Sequence, residues 1–296
     1  MDYILTTQDL TKMYGKACAV KDINLHVKAG EIYGLIGRNG AGKTTIMRVI
    51  SGLSKATSGS YQLHGENKHG VGVLIENPGI YPSKSAKENL KLKSIAMGCD
   101  SDDYIDNLLE TVGLENTGKK KAGSFSLGMR QRLGIALALV GDPRMIVLDE
   151  PINGLDPQGI VEVRQTLEKL KEEKGITIMI SSHILDELSR LADTFGIVHE
   201  GKLIDEFNMN DLQDRCGQYV LLRTDNNEKA ISTLSKMGYN NLGTEDDALK
   251  IVDAVGDTVA INKTLVNSDI GVKELIIRKT SLEDYYLSVT GGKHNG

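Results

Sequence analysis

A glycine-rich stretch near the start of the chain carries its strongest architectural signal: Gly37-Arg38-Asn39-Gly40-Ala41-Gly42-Lys43-Thr44. It fits the pattern G-x-x-x-x-G-K-[ST], in which the backbone N–H groups of a turn surround a polyphosphate. The apolar run from Ile32 to Ile36 predicts a buried strand before it, and Thr45 to Ile50 predicts a helix after it. Lys43 would reach the β- and γ-phosphates, and the Thr44 hydroxyl would ligate Mg²⁺. The stretch therefore predicts a nucleoside triphosphate site at a helix N-terminus.

The composition limits the kinds of protein that the chain can be. It has 296 residues, a formal net charge of −5 and 40% hydrophobic residues, which fits one large domain with a small addition. The acidic balance argues against a nucleic-acid partner. The cysteines, Cys18, Cys99 and Cys216, are far apart, so we expect packing residues rather than disulfides or zinc ligands. The longest strongly apolar run, Leu133 to Val140, is too short to span a bilayer. We expect a cytoplasmic protein that reaches the membrane only through a partner.

Hydrophobic patterning predicts the domain organisation. Residues 3–30 alternate polar and apolar side chains, which predicts antiparallel strands. Apolar strands then alternate with helices, as in a parallel α/β sheet. The C-terminal part shows short strand patterns around one helical stretch, 227–237. We predict an α/β P-loop NTPase domain over 1–212, with an antiparallel β subdomain and a helical subdomain at about 84–140, and a small α+β domain over 213–296.

Two acidic residues follow the apolar run from Met145 to Leu148. Ligands of open α/β sheets bind at the carboxyl ends of the strands, where Asp149 and Glu150 would lie. Asp149 suits Mg²⁺, directly or through water. Glu150 comes one residue later, so we expect it to point differently and to face the attacking water.

A second candidate phosphate contact begins the helix predicted over 126–140. Ser126 and Gly128 at a helix start could bind a phosphate oxygen. A serine in this position could equally be an ordinary N-cap.

Together these motifs resemble the ATP-binding subunits of ABC transporters, in order and approximate spacing, over residues 3 to about 215. Ser126–Met129 stands at the family's LSGGQ signature, and Ile146–Glu150 matches its Walker B strand and catalytic acid. Asn153–Asp156 resembles the D-loop, and His183 resembles the switch histidine. Tyr14 matches the aromatic residue that stacks on adenine.

The resemblance implies a role for each of these residues. ATP would lie between the glycine-rich stretch Gly37–Thr44 of one subunit, the P-loop, and the signature of a second subunit, in a head-to-tail dimer. Lys43, Glu150 and His183 would be catalytic: Glu150 would polarise the water and His183 would contact the γ-phosphate. Mg²⁺ would be held by Thr44, Glu76 and Asp149. The residues expected to bind ATP are Tyr14, Gly37, Arg38, Asn39, Gly40, Ala41, Gly42, Lys43, Thr44, Thr45, Ser126 and Gly128.

Two departures from the family pattern narrow the resemblance. The signature has Leu127 and Met129 where the family has a glycine and a glutamine. Glu76 replaces the family's Q-loop glutamine, which puts a negative charge beside the expected metal site. Both changes, and the C-terminal stretch from Ser281 to Leu287, resemble the bacitracin-resistance and lantibiotic-immunity exporters.

The resemblance leaves three functional hypotheses open. The first is the ATPase subunit of a peptide-antibiotic exporter, with membrane-spanning permeases on separate chains. The second is a soluble ABC ATPase that acts on the ribosome or on nucleic acid, which the acidic composition disfavours. The third is the ATPase of an importer.

Overall fold

The computed structural model describes residues 3–64, 70–211, 218–245, 247–252 and 254–291. The chain forms two compact units, Met1–Met209 and Asn210–Gly296. The domain boundary expected from the sequence, between residues 212 and 213, lies outside the described residues.

A mostly parallel sheet forms the centre of the first unit. Across the sheet its strands are β10 (Lys202–Asn208), β9 (Thr194–His199), β4 (Ile32–Ile36), β8 (Thr177–Ser182), β7 (Met145–Asp149) and β6 (Gly72–Leu74). The strand before the glycine-rich stretch, β4, lies between β8 and β9 and is parallel to both. All residues of β4, β7 and β8 are buried, which explains the near-continuous apolar sequences of β4 and β7. The parallel α/β sheet predicted from the sequence is confirmed.

An antiparallel sheet packs beside the parallel one. Its strands are β1 (Tyr3–Tyr14), β2 (Ala17–Ile23), β3 (His26–Lys28) and β5 (Ser58–Leu63). Side chains from both sheets enclose the helix after the glycine-rich stretch, α1 (Lys43–Ile50), whose Ile46 and Met47 are fully buried. Both sheets therefore fix the start of this helix.

The sequence predicts most of the other helices of the first unit, but not the last and shortest of them. They are α2 (Ala86–Met97), α3 (Asp102–Thr111), α4 (Leu127–Leu139), α5 (Pro157–Lys174) and α6 (Leu185–Ser189). The helix α2 begins with a capping box between Ser85 and Glu88 and ends at Gly98 in the left-handed conformation.

The second unit is a small α+β domain with its own apolar core. Its antiparallel sheet has the order β12 (Leu242–Glu245), β13 (Ala248–Ile251), β11 (Gln218–Thr224) and β14 (Val272–Lys279). The helices are α7 (Asn227–Lys236), α8 (Thr258–Asn267) and α9 (Leu282–Thr290). From β11 to β14 the chain order is β-α-β-β-α-β, the arrangement known as split βαβ. The helices α7 and α8 contribute Ala230, Leu234, Ile261 and Leu265 to the core.

Some expectations were wrong or incomplete. The sequence predicts one helix in the second unit, whereas the described residues contain α8 and α9 as well. Cys18 is exposed and Cys99 is half-buried, so neither is the buried packing residue that we expected. Cys216 lies outside the described residues.

Candidate functional site

Glycine is needed in the P-loop for two physical reasons. Gly40 and Gly42 have φ angles of +83° and +113°, which side-chain-bearing residues rarely adopt. A Cβ atom at Gly37 would lie 2.5 Å from the Val198 carbonyl oxygen of β9, so the backbone can pass only without a side chain. The turn then leads directly into α1, whose first backbone N–H groups have no partner within the helix. The loop and the helix start together form an anion site.

Lys43 points back across the loop that precedes it. The residue is 6% exposed. Its Nζ atom donates hydrogen bonds to Gly37 O at 2.6 Å and to Arg38 O at 3.4 Å, and it lies 3.4 Å from Glu150 Oε1. The ammonium group is therefore held at the inner surface of the loop, facing the end of β7.

Asp149 is fixed by two hydroxyl groups. Thr44 Oγ1 donates to Asp149 Oδ2 at 2.7 Å, and Ser181 Oγ donates to Asp149 Oδ1 at 2.5 Å. Ser181 lies directly opposite Asp149 in the register of β7 and β8. The carboxylate is only 8% exposed, so these bonds compensate for much of its lost hydration.

Glu150 turns away from Asp149, as expected from its place after the strand. Its φ angle is +51°, and its backbone N–H donates to Ser181 Oγ at 2.9 Å. Its Oε2 atom lies 2.7 Å from His183 Nδ1. The buried Oε1 atom is within ion-pair distance of Lys43 but makes no hydrogen bond in the described part of the chain. An uncommon backbone conformation thus holds the carboxylate between two basic side chains.

Glu76 is paired rather than open to the site. Arg48 Nη2 of α1 donates a hydrogen bond to Glu76 Oε1. Glu76 also has a positive φ angle, +63°. The side chains of Arg48 and Glu76 are 38% and 62% exposed.

A cavity of about 490 Å³ lies over the P-loop. The predicted nucleotide-binding residues that line it are Arg38, Asn39, Gly40, Gly42, Lys43, Thr44 and Thr45, and Glu150 lines it too. Cys18, Ala19, Glu200 and Gly201 complete the wall. The Gly201 backbone N–H donates to Ala41 O at 2.9 Å, which ties the turn between β9 and β10 to the P-loop.

Three predicted ATP contacts lie elsewhere in the described structure. Tyr14 is 47% exposed, with Lys12 Nζ 5.0 Å from its ring centroid, and it does not line this cavity. Ser126 is the N-cap of α4 and accepts from Met129 N at 3.2 Å, so the ordinary cap interaction is present. Gly128 is buried, and a Cβ atom there would lie 3.5 Å from Gly159 Cα of α5. Neither signature residue lines the cavity of its own chain.

The sequence did not assign roles to Ser181 and Arg48. Ser181 precedes His183, a predicted site residue, by two positions, and that closeness was the available signal. Arg48 had none, because its partner Glu76 is distant in the sequence and the contact depends on how the chain folds.

Comparison with known proteins gives a consistent result. A family model described as ABC transporter matches residues 20–153. The chain is 41% identical over 302 residues to the bacitracin transport ATP-binding protein of Bacillus licheniformis, covering 99% of both chains. It is 46% identical over 208 residues to a lantibiotic transport ATP-binding protein of Streptococcus pyogenes, covering 69% of this chain and 90% of that one.

A solved structure agrees with these sequence relatives. It is cbiO1 of Clostridium perfringens, described as part of the ABC transporter complex cbiONQ, with a TM-score of 0.65 and 30% identity over 72% of this chain and 92% of that chain. Among the described residues, no helix combines the length and apolar character needed to cross a bilayer.

Proposed function

The chain belongs to the ATP-binding subunits of ABC transporters, and from this we propose that its ATP hydrolysis powers export of, or immunity to, a peptide antibiotic. The observation that carries the proposal is the 41% identity, over nearly the whole of both chains, with a bacitracin transport ATP-binding protein. The lantibiotic transport relative supports the same class of cargo. These relatives favour transport over the alternative of a soluble ATPase acting on the ribosome or nucleic acid.

The P-loop would bind the triphosphate. Lys43 places a positive charge at the inner surface of the loop, where the β- and γ-phosphates would lie. Because Lys43 also faces Glu150 at 3.4 Å, a bound phosphate would compete with that carboxylate for the ammonium group. Binding of ATP would therefore loosen one of the two contacts that hold Glu150.

Glu150 would act as the general base. Water attacks the γ-phosphorus, the bond to the bridging oxygen breaks, and ADP leaves as phosphate forms. Glu150 would accept the proton of the attacking water, and His183, 2.7 Å from Glu150 Oε2, would contact the γ-phosphate. Ser181 fixes the backbone of Glu150 and the carboxylate of Asp149, so it would position both.

The site also fits a magnesium ion. The Thr44 hydroxyl and the Asp149 carboxylate, 2.7 Å apart, are hard oxygen donors of the kind that Mg²⁺ prefers. When bound, the ion would neutralise negative charge on the phosphate oxygens. Thr44 and Asp149 would hold the ion. Glu76, the third predicted ligand, is paired with Arg48 and is therefore less available to the ion.

A second subunit would complete the nucleotide site. Ser126 is exposed at the start of α4 and does not line the cavity of its own chain. In the head-to-tail arrangement it would face the γ-phosphate held by another subunit. Leu127, which replaces a signature glycine, lies close to Gly154 of the D-loop, since a Cβ atom at Gly154 would be 3.5 Å from Leu127 Cδ2.

The permease would dock in a groove of about 510 Å³ that lies between the helical subdomain and the part of the first unit that contains β6. Apolar side chains of Leu53, Tyr81 and Leu92 line it and are 64%, 59% and 44% exposed. The segment after Glu76 is joined to α2, because Tyr81 N donates to Asn89 Oδ1 at 2.7 Å. Lys93 Nζ donates to Leu137 O at 2.7 Å, and burial lowers the pKa of its ammonium group. Residues 77–81 follow Glu76 directly and contribute to the groove, so a movement of Glu76 would be transmitted to the docking surface through this segment.

The proposal is tested with Glu150→Gln. This variant is expected to bind a fluorescent ATP analogue at least as tightly as the wild-type protein, because the carboxylate no longer competes with phosphate for Lys43, and to hydrolyse ATP about 10²–10⁴-fold more slowly, because the amide cannot accept the proton. Glu172→Gln, on the exposed face of α5, is the matched control and should hydrolyse ATP normally. Turnover of Glu150→Gln near the wild-type rate would remove Glu150 from the base role.

The same pair of variants tests the cargo. Cells that carry the wild-type chain with its permease should survive a peptide antibiotic, and Glu150→Gln should abolish that survival while Glu172→Gln preserves it. Equal sensitivity of cells with and without the wild-type chain, to bacitracin and lantibiotics alike, would overturn the proposed cargo.

A further inference from the structure

One face of α1 supports two separate contacts with acidic residues. Thr44 and Arg48 are four residues apart, so their side chains lie on the same face of the helix. Thr44 binds Asp149, and Arg48 binds Glu76. The helix that begins at the proposed phosphate site therefore also carries Arg48, whose guanidinium group neutralises Glu76.

The sheet brings the three carboxylates to one edge. Leu74 pairs with Leu148 in the parallel register of β6 and β7, and Glu76 and Glu150 each come two residues later. Asp149 is satisfied by hydroxyl groups, and Glu150 faces Lys43 and His183. Arg48 is the charged partner that the structure gives to Glu76.

The ion pair does little for the stability of the fold. Both side chains are partly exposed, at 38% and 62%, and exposed pairs of this kind contribute little to folding. We expect the ion pair to act instead on metal binding at the neighbouring site, because Arg48 already balances the negative charge of Glu76 when no metal ion is bound.

We propose that Arg48 is a positioning residue that neutralises Glu76 and thereby sets how strongly the site binds a divalent cation. This inference rests on the proposed function, in which Thr44 and Asp149 hold the cation. Without Arg48, the free Glu76 carboxylate attracts the cation more strongly. It also repels the phosphates of a nucleotide that carries no metal.

The experiment measures binding of a fluorescent ATP analogue, first in EDTA and then with increasing Mg²⁺. Arg48→Met is expected to lower the Mg²⁺ midpoint about two- to fivefold and to weaken binding in EDTA by a similar factor, as expected for a partly exposed charge pair. Glu76→Gln should remove this effect, so the double variant should match Glu76→Gln alone. Arg48→Lys retains the charge and should have a midpoint close to that of the wild-type protein.

Two controls separate the inference from its premise. Arg144→Met removes an exposed positive charge just before β7, at the opposite edge of the sheet, and should not change the midpoint. Asp149→Asn should raise the midpoint, and an unchanged midpoint there would overturn the proposed metal site itself. If Asp149→Asn responds as expected, an unchanged midpoint in Arg48→Met overturns the role of Arg48. Equal shifts from Arg48→Met in the wild-type protein and in the Glu76→Gln variant would overturn it too.

Discussion

A single buried hydroxyl group joins the two acidic residues of the site. Ser181 donates to the Asp149 carboxylate and accepts from the Glu150 backbone N–H, and it is 0% exposed. Without it, a buried carboxylate oxygen and a backbone donor each lose a partner. Such losses cost more than the original bonds contributed, because neither group regains water.

Ser181→Ala is therefore expected to destabilise the protein by about 1–3 kcal/mol, measured by denaturant unfolding. It should also slow ATP hydrolysis, because Glu150 is then less well fixed. Ser94→Ala is the matched control: Ser94 is equally buried, but its hydroxyl has no hydrogen-bond partner in the described structure, so its removal should be neutral or stabilising. Equal losses in the two variants would contradict the bridging role.

Individual residues differed in how well the sequence predicted their place. The structure brings Lys43, Thr44, Asp149 and Glu150 together, since a motif at the end of a strand fixes where its side chains lie. Residues that act through a distant partner, such as Arg48, give no local pattern. Tyr14 stands where the family has the aromatic residue that stacks on adenine, and in the structure its ring contacts Lys12.

The helix α2 holds the segment that follows Glu76 and also lines the proposed docking groove. Its Asn89 holds the segment after Glu76, and its Leu92 lines the groove and is 44% exposed. Leu92→Glu would place a charge in an apolar contact with the permease, and a buried unpaired charge is costly.

Leu92→Glu is expected to reduce co-purification with the permease at least tenfold, about 1.4 kcal/mol, while ATP binding stays unchanged. Val259→Glu introduces the same charge on α8, where the valine is 77% exposed, and should co-purify normally. Normal recovery of the permease with Leu92→Glu would show that the groove is not the docking surface.

The elements of the first unit were more predictable than those of the second. Buried parallel strands such as β4 and β7 leave continuous apolar runs in the sequence. The helix α8 was missed because Thr258–Asn267 is rich in β-branched residues, which have low helix propensity. Its helical structure depends on the packing of Ile261 and Leu265 in the core of the second unit.

At the level of the whole molecule, the proposed dimer explains why the signature residues lie outside the cavity of their own chain. Ser126→Arg should bind ATP normally, because the P-loop is intact, and should block hydrolysis by filling the space of the partner's γ-phosphate. Lys43→Ala should not hydrolyse ATP, because it binds ATP weakly. Each variant alone is expected to be inactive.

Mixing the two inactive variants should restore part of the activity. A mixed dimer has one complete site, formed by the P-loop of the Ser126→Arg subunit and the signature of the Lys43→Ala subunit. ATPase measured against the mixing ratio should rise to a maximum between the two pure variants. A flat, inactive profile in samples that contain mixed dimers would rule out the head-to-tail arrangement.

The position of β4 between β8 and β9 has a consequence for biosynthesis. Ile36 pairs with Ser182 on one side and with Ile197 on the other, both far later in the chain. At about 5–20 residues per second, a ribosome needs roughly 10–30 s to pass from the P-loop strand to its second neighbour. For most of this time the apolar strand is present on the nascent chain without either partner, because β8 is completed only shortly before β9. ATP can therefore assist folding only late in translation, although the loop that binds it is among the first segments to emerge.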